Sequence, residues 1–142
     1  ILSLVLICIK KTRRAGIVMA IALLLGVIVG NLTLKPLVAR ARPFTHNPSV
    51  GLLIAAPHGY SFPSGHTLSS FAAATSLRLF YRRWGNAALL LAAAIGFSRM
   101  YLYVHFFTDV LAGAALGILM AYVARWLFFK LLEFRSAKSN QI

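Results

Sequence analysis

Residues 15–34, AGIVMAIALLLGVIVGNLTL, run for 20 positions without one charged side chain, and no other feature limits the fold of the chain as strongly. A helix that crosses the ~30 Å hydrocarbon layer of a bilayer needs ~20 mostly apolar residues. Inside lipid, only a helix or a closed barrel satisfies every backbone polar group. The run therefore predicts a transmembrane helix. Apolar stretches with weaker edges follow at about 66–81, with Arg78 near its end, at about 87–106, with Arg99 and His105, and at about 107–129, with Asp109 and Arg125. Together they predict an all-α, polytopic transmembrane helix bundle forming a single domain over residues 1–142. The opening ILSLVLICI is too short to cross, and basic residues follow it rather than precede it, the reverse of a signal peptide. Residues 1–9 are expected to be the remnant of a truncated N-terminal helix.

Composition narrows the class. Hydrophobic residues make up 60% of the chain and charged residues 12%, with 15 Lys and Arg against 2 Asp and Glu. Nucleic-acid-binding domains and disordered basic tails spread their charge through polar sequence. Here the charge is set among apolar runs, which points to membrane lipids as partners and away from nucleic acid. Cys8 is the single cysteine, so no intramolecular disulfide can form. Of the two carboxylates, Glu133 falls in a polar tail, which leaves Asp109 alone in the apolar body. That is too few for a two-metal phosphatase centre or a glycosidase pair, so neither a metal nor another cofactor is expected.

Loops rich in Lys and Arg stay cytoplasmic. Under a simple alternating path, Lys10, Lys11, Arg13, Arg14, Arg78, Arg82, Arg83, Arg125, Lys130, Arg135 and Lys138 fall on one face, and only Lys35, Arg40, Arg42 and Arg99 on the other. Positive charge on the translocated side opposes the topological bias, so another requirement must hold it there. That side also receives the loop of about 35–65, with Pro36, Pro43, Pro48, Pro57 and Pro63 excluding a continuous helix. Gly26 with Gly30 and Gly113 with Gly117 form small-xxx-small patterns that let helices approach closely. Packing inside the bundle is favoured over a dimer seam, and the oligomeric state stays open.

Three polar clusters fall on that same face: KPLVARARP, FPSGH and SRMYLYVHFFTD. If 105–109 is helical, His105 and Asp109 are i,i+4 neighbours, close enough for an imidazole N–H to reach the carboxylate. Such a pair fixes the ring tautomer and leaves the other nitrogen free to attack. The plainer alternative is a polar pair satisfied inside a bundle. Lys35, Arg42 and Arg99, if gathered, would hold the oxygens of a phosphoryl group, whose transfer needs mainly positioning and charge neutralisation. Taken singly they could equally be charges beside lipid headgroups, which is the reading preferred for Arg40. Ser64 and Gly65 at a helix start offer a hydroxyl and free N–H groups to an anion, or simply a cap and a turn. His66 beside them could give a proton to a departing oxygen. His46 and His58 are read as loop residues without a role. Cys8 and Arg14 match a cysteine-phosphatase spacing, but no glycine-bearing phosphate loop accompanies them.

The three clusters, in this order and with this internal spacing, resemble the signature of the type 2 phosphatidic acid phosphatase (PAP2) superfamily over residues 35–109, and TDVLAGAALG is similar to the family's final span. The resemblance implies that His105 is a nucleophile forming a phosphohistidine, that Asp109 orients it, and that His66 protonates the leaving group and later activates water. It implies phosphate binding by Lys35, Arg42, Ser64, Gly65 and Arg99, with no metal. Membrane-bound members usually carry two spans before the lysine motif, where this chain has one full span and a short apolar stretch. The implied activity is that of a bacterial inner-membrane lipid phosphatase with its site on the extracytoplasmic face. Undecaprenyl diphosphate ranks first as substrate, followed by phosphatidylglycerophosphate and phosphatidate. Two alternatives remain. A non-catalytic anion-binding protein or transporter explains the cations but not His66, His105 and Asp109. A vanadate-dependent peroxidase shares the residues but is soluble.

Overall fold

The structure, a computed structural model, describes residues 1–47 and 49–139. Pro48 of the long loop and residues 140–142 lie outside the described residues, as do the side chains of Lys138 and Ser139. Among the described residues every regular element is helical: α1 Leu2–Cys8, α2 Arg13–Gly26, a wider helical segment Val27–Leu34, α3 Lys35–Val38, α4 Pro43–His46, α5 Gly65–Arg78, α6 Arg82–Tyr101 and α7 Phe107–Ser139.

Two stretches are long and apolar enough to cross a membrane by length and composition, Arg13–His46 and Phe107–Ala137, which contain the first and last expected spans. The expected span at 66–81 corresponds to α5, whose 14 residues reach only ~21 Å at 1.5 Å per residue. Its position explains the shortness. α5 packs against α2, α6 and α7 and is the centre of the bundle, so it can carry the buried hydroxyls of Thr67, Thr75 and Ser76 that a lipid-facing helix would not. The expected span at 87–106 corresponds to α6, which stops at Tyr101 because the chain turns back through 102–106. The loop expected over 35–65 contains two short helices, each with a proline in its first turn, where the missing N–H costs nothing.

Both small-xxx-small patterns are used inside the bundle, on the same partner. A Cβ on Gly26 or Gly30 would lie 2.4 or 2.6 Å from the Leu68 side chain, and one on Gly113 or Gly117 would lie 2.7 Å from Ser64 O or 2.4 Å from Leu68 O. The glycines of α2, the Val27–Leu34 segment and α7 thus let all three pack closely against the start of α5. Below this contact, Val18, Ala22, Ala72, Ala121, Ala124 and Phe128 form the buried core.

The Val27–Leu34 segment is wound more widely than an α-helix. The Lys35 N–H reaches Gly30 O and Thr33 Oγ1 donates to Ile28 O at 2.9 Å, both spanning five residues. Such π-type turns recur at functional sites, and this one delivers Asn31 and Lys35 to the end of the bundle where α5 begins. At the other end, Tyr81 donates to Lys11 O at 2.6 Å, which joins the basic clusters at 10–14 and 78–83.

Candidate active site

The residues singled out for chemistry meet where α3, α4, the start of α5, the end of α6 and the start of α7 come together. Lys35, Arg42, Gly65, His66, Arg99 and His105 border a cavity of about 440 Å³. Ser64 and Asp109 do not border it; both are fully buried.

His105 stands in the turn before α7 rather than in a helix, with Tyr103 of the same turn in the left-handed region at φ 57°. The expected i,i+4 pairing survives in altered form. Asp109 lies in the first turn of α7, and its Oδ2 is 3.6 Å from His105 Nδ1. Ser61 stands between them, donating to Asp109 Oδ2 and lying 3.4 Å from Nδ1. On the other side of the ring, Arg42 Nη1 is 3.4 Å from Nε2. A guanidinium can only donate, so Nε2 is the acceptor and the proton of the neutral ring belongs on Nδ1. The Nε2 lone pair then faces Arg42 and the cavity. Burial and the Arg42 guanidinium push this imidazole down to about 4, against the opposing pull of Asp109.

Arg40 requires a correction. Expected to face lipid headgroups, it donates through Nη1 to Asp109 Oδ1 at 2.8 Å and to Thr108 Oγ1 at 2.6 Å, with its guanidinium 4.0 Å from the centre of the Phe106 ring. A carboxylate with no exposed surface is costly without a cation. Lys35, Arg42 and Arg99 all border the cavity, which leaves Arg40 for that task. Asp109 Oδ2 also accepts the Phe106 N–H at 2.9 Å, so the carboxylate is held from several directions.

The three cavity cations differ in how far they are already engaged. Arg42 is buried and donates to Gly59 O at 2.9 Å, Val104 O at 3.0 Å and His58 O at 3.3 Å, tying the long loop to the turn that carries His105. Among the described residues Arg99 bonds only the neighbouring Ser98 hydroxyl, at 3.1 and 3.2 Å. Lys35 has no acceptor among the described residues. The last two are therefore placed to receive an anion. Gly65 lets Asn31 and Lys35 come close: a Cβ there would lie 3.2 Å from Asn31 Oδ1 and 3.7 Å from Lys35 Nζ. The first N–H groups of α5 carry the positive end of the helix dipole to the same place.

Ser64 caps α5 by position, yet its hydroxyl accepts from Thr67 Oγ1 at 2.9 Å and its N–H donates to Asp109 O at 3.0 Å. It braces the wall of the site rather than opening onto the cavity. His66 is exposed and borders the cavity. His58, read as a loop residue without a role, also borders it and lends its carbonyl to Arg42. His46 packs against Phe106, ring centres 6.2 Å apart. Sequence reasoning missed Ser61 and Asn31. Asn31 had a signal, as the only amide in an otherwise apolar span; Ser61 had none beyond its nearness to Pro63.

Residues 15–133 match the PAP2 superfamily. An undecaprenyl-diphosphatase of Sulfolobus acidocaldarius is 32% identical over 120 residues, covering 84% of this chain and 58% of that protein, so the chain spans little more than half of that relative's length. The crystal structure of Aquifex aeolicus LpxE has a TM-score of 0.77 and 31% identity, covering 87% of this chain and 73% of that one. A transmembrane PAP2-type phosphatidylglycerolphosphate phosphatase of Bacillus subtilis has a TM-score of 0.69 and 27% identity, covering 90% of this chain and 65% of that one. With the match running from the first span into the last turns of α7, and the fold shared with solved transmembrane relatives, the chain belongs to the PAP2 superfamily.

Proposed function

We propose that the protein is an integral membrane lipid phosphatase that hydrolyses a phosphate monoester or diphosphate of a lipid through a phosphohistidine, without a metal. The observation that carries this reading is the setting of His105, a buried imidazole with Nε2 toward a cavity of cations and Nδ1 toward a buried carboxylate. Lys35, Arg42, Arg99 and the N–H groups at the start of α5, in the turn made by Ser64 and Gly65, hold the phosphoryl oxygens. His105 Nε2 attacks phosphorus as the P–O bond to the lipid breaks, and protonated His66 gives its proton to the departing oxygen. His66, now neutral, takes a proton from a water that attacks the phosphohistidine. The N–P bond breaks, phosphate leaves, and both histidines return to their starting states. The commitment of both Asp109 oxygens to Arg40, Ser61 and the Phe106 N–H supports the metal-free reading.

Undecaprenyl diphosphate is the first substrate proposed, in keeping with the relative of that name. Phosphatidylglycerophosphate follows, in keeping with the Bacillus subtilis neighbour, and then phosphatidate. α5 and α6 would lie in the bacterial inner membrane with α2 and α7, and the cavity would open on the extracytoplasmic face. The basic clusters gathered at the opposite end support that orientation.

The test is phosphate release by purified protein in detergent with EDTA, on the three lipids side by side. Turnover with EDTA, its loss in His105→Ala and an acid-labile phosphoenzyme are expected. Unchanged turnover in His105→Ala overturns the nucleophile, loss of activity to the chelator overturns the metal-free step, and phosphate binding without turnover makes the protein an anion binder.

A further inference from the structure

Ser61 belongs to none of the three motifs, yet it is fully buried at the centre of the site. Its N–H donates to Arg40 O at 2.8 Å, which fixes the backbone beside the residue that neutralises Asp109. A serine hydroxyl has one proton to give and two lone pairs. The proton goes to Asp109 Oδ2, the strongest acceptor within reach. A lone pair then remains toward His105 Nδ1, 3.4 Å away, and it can be matched only by an N–H. The contact of Arg42 with Nε2 independently demands the same tautomer. The carboxylate itself stands slightly farther from Nδ1, at 3.6 Å. Arg40 at 2.8 Å and the Phe106 N–H at 2.9 Å anchor it where it is, so it does not swing in to close that gap.

We propose that Ser61 is a positioning residue whose hydroxyl accepts from His105 Nδ1–H and donates to Asp109 Oδ2, so that the carboxylate sets the tautomer and aim of the imidazole through the serine as well as through its own longer contact. The catalytic part of this inference rests on His105 being the nucleophile. No proton changes owner along the chain: Nδ1 keeps its hydrogen as Nε2 takes the phosphoryl group. The charge that develops on the ring strengthens both hydrogen bonds toward the carboxylate, so the serine acts more in the transition state than in the resting enzyme.

The experiment compares wild type, Ser61→Ala and Ser61→Thr as the full chain in detergent, with dioctanoyl phosphatidate as substrate and ¹⁵N-labelled histidine rings as a second readout. His105 signals are assigned by their loss in His105→Asn. In Ser61→Ala, kcat is expected to fall about tenfold or more with KM little changed, the effect of one hydrogen bond lost from the transition state. The His105 ring is expected to change from a single Nδ1–H tautomer to a mixture, and Ser61→Thr to restore both. A single Nδ1–H tautomer and kcat within about twofold in Ser61→Ala would show that Asp109 suffices alone and overturn the proposal. So would a wild-type ring carrying its proton on Nε2, a result that needs no variant to fold. Absence of turnover in the wild type would refute the phosphatase reading, while the ring spectra would still decide the role of Ser61.

Discussion

Arg42→Lys keeps the charge of the phosphate pocket and removes its geometry, and the two consequences can be measured apart. The guanidinium reaches three carbonyls on two separate segments, His58 and Gly59 in the long loop and Val104 in the turn before His105. An ammonium on a single stem can serve one of these segments but not both. If it reaches a single carbonyl of the loop, two of the three bonds are lost, and the carbonyl of Val104, a residue only 2% exposed, is left without its Arg42 donor. At about 1.5 kcal/mol for each hydrogen bond to a charged group, the loss is about 3 kcal/mol. For chains near this length that corresponds to a fall of about 10 °C in the unfolding midpoint. Activity should suffer more than stability suggests, because Val104 adjoins His105 and a displacement of about 1 Å at a reacting group can cost about a hundredfold in rate. The assay is thermal unfolding in detergent beside phosphate release. A variant with the wild-type midpoint and turnover would refute the cross-linking role and leave Arg42 a simple charge.

The pH dependence follows from the environment of His105. The ring must be neutral to attack, and burial with Arg42 holds it at about 4, Lys35 adding to the repulsion and Asp109 opposing it. Protonation therefore silences it only as pH falls through about 4, and phosphoenzyme formation at lipid concentrations well below saturation, which reports the free enzyme, should persist at pH values of about 5–6, where an ordinary imidazole is largely charged. Rapid-quench measurement with an acid limb centred near 6.5 would contradict this. Gly117→Ala would put a Cβ 2.4 Å from Leu68 O and 2.9 Å from Ala72 N, backbone atoms that cannot yield, whereas a Cβ on Gly51 would meet nothing within 4 Å. The first substitution should separate α7 from α5 and lower the unfolding midpoint sharply, with Gly51→Ala as the silent control; equal midpoints would show that the two helices do not need this contact.

The helices of the bundle, the motifs and the gathering of basic residues at its ends were legible because each depends on residue type and spacing within one segment. Errors arose where hydropathy and backbone path part company. Val104 and Phe106 keep residues 87–106 apolar, yet the chain turns at Tyr101 because the Val104 N–H finds Arg99 O and its carbonyl finds Arg42. α7 runs on to Ser139, past the expected end at about 129, because neither glycine nor proline follows Gly117 to stop it. Ser61 and Arg40 were out of reach for a different reason. Their partner Asp109 lies 48 and 69 residues away, and only the fold brings them together.

The role of Arg40 nonetheless follows from a constraint the sequence does contain. One carboxylate in an apolar body must be paired, and a cation that pairs it cannot also hold substrate. Four positive charges at one end of the bundle are thus not four phosphate ligands. Arg40 is committed to Asp109, and Arg42 is largely committed to three backbone carbonyls, so Lys35 and Arg99 are the charges whose acceptors are still to come. This division explains how so small a site can hold so much like charge. Arg40 is neutralised by Asp109 and Arg42 is held in place by backbone carbonyls at the cavity wall, while Lys35 and Arg99 repel only until an anion arrives between them.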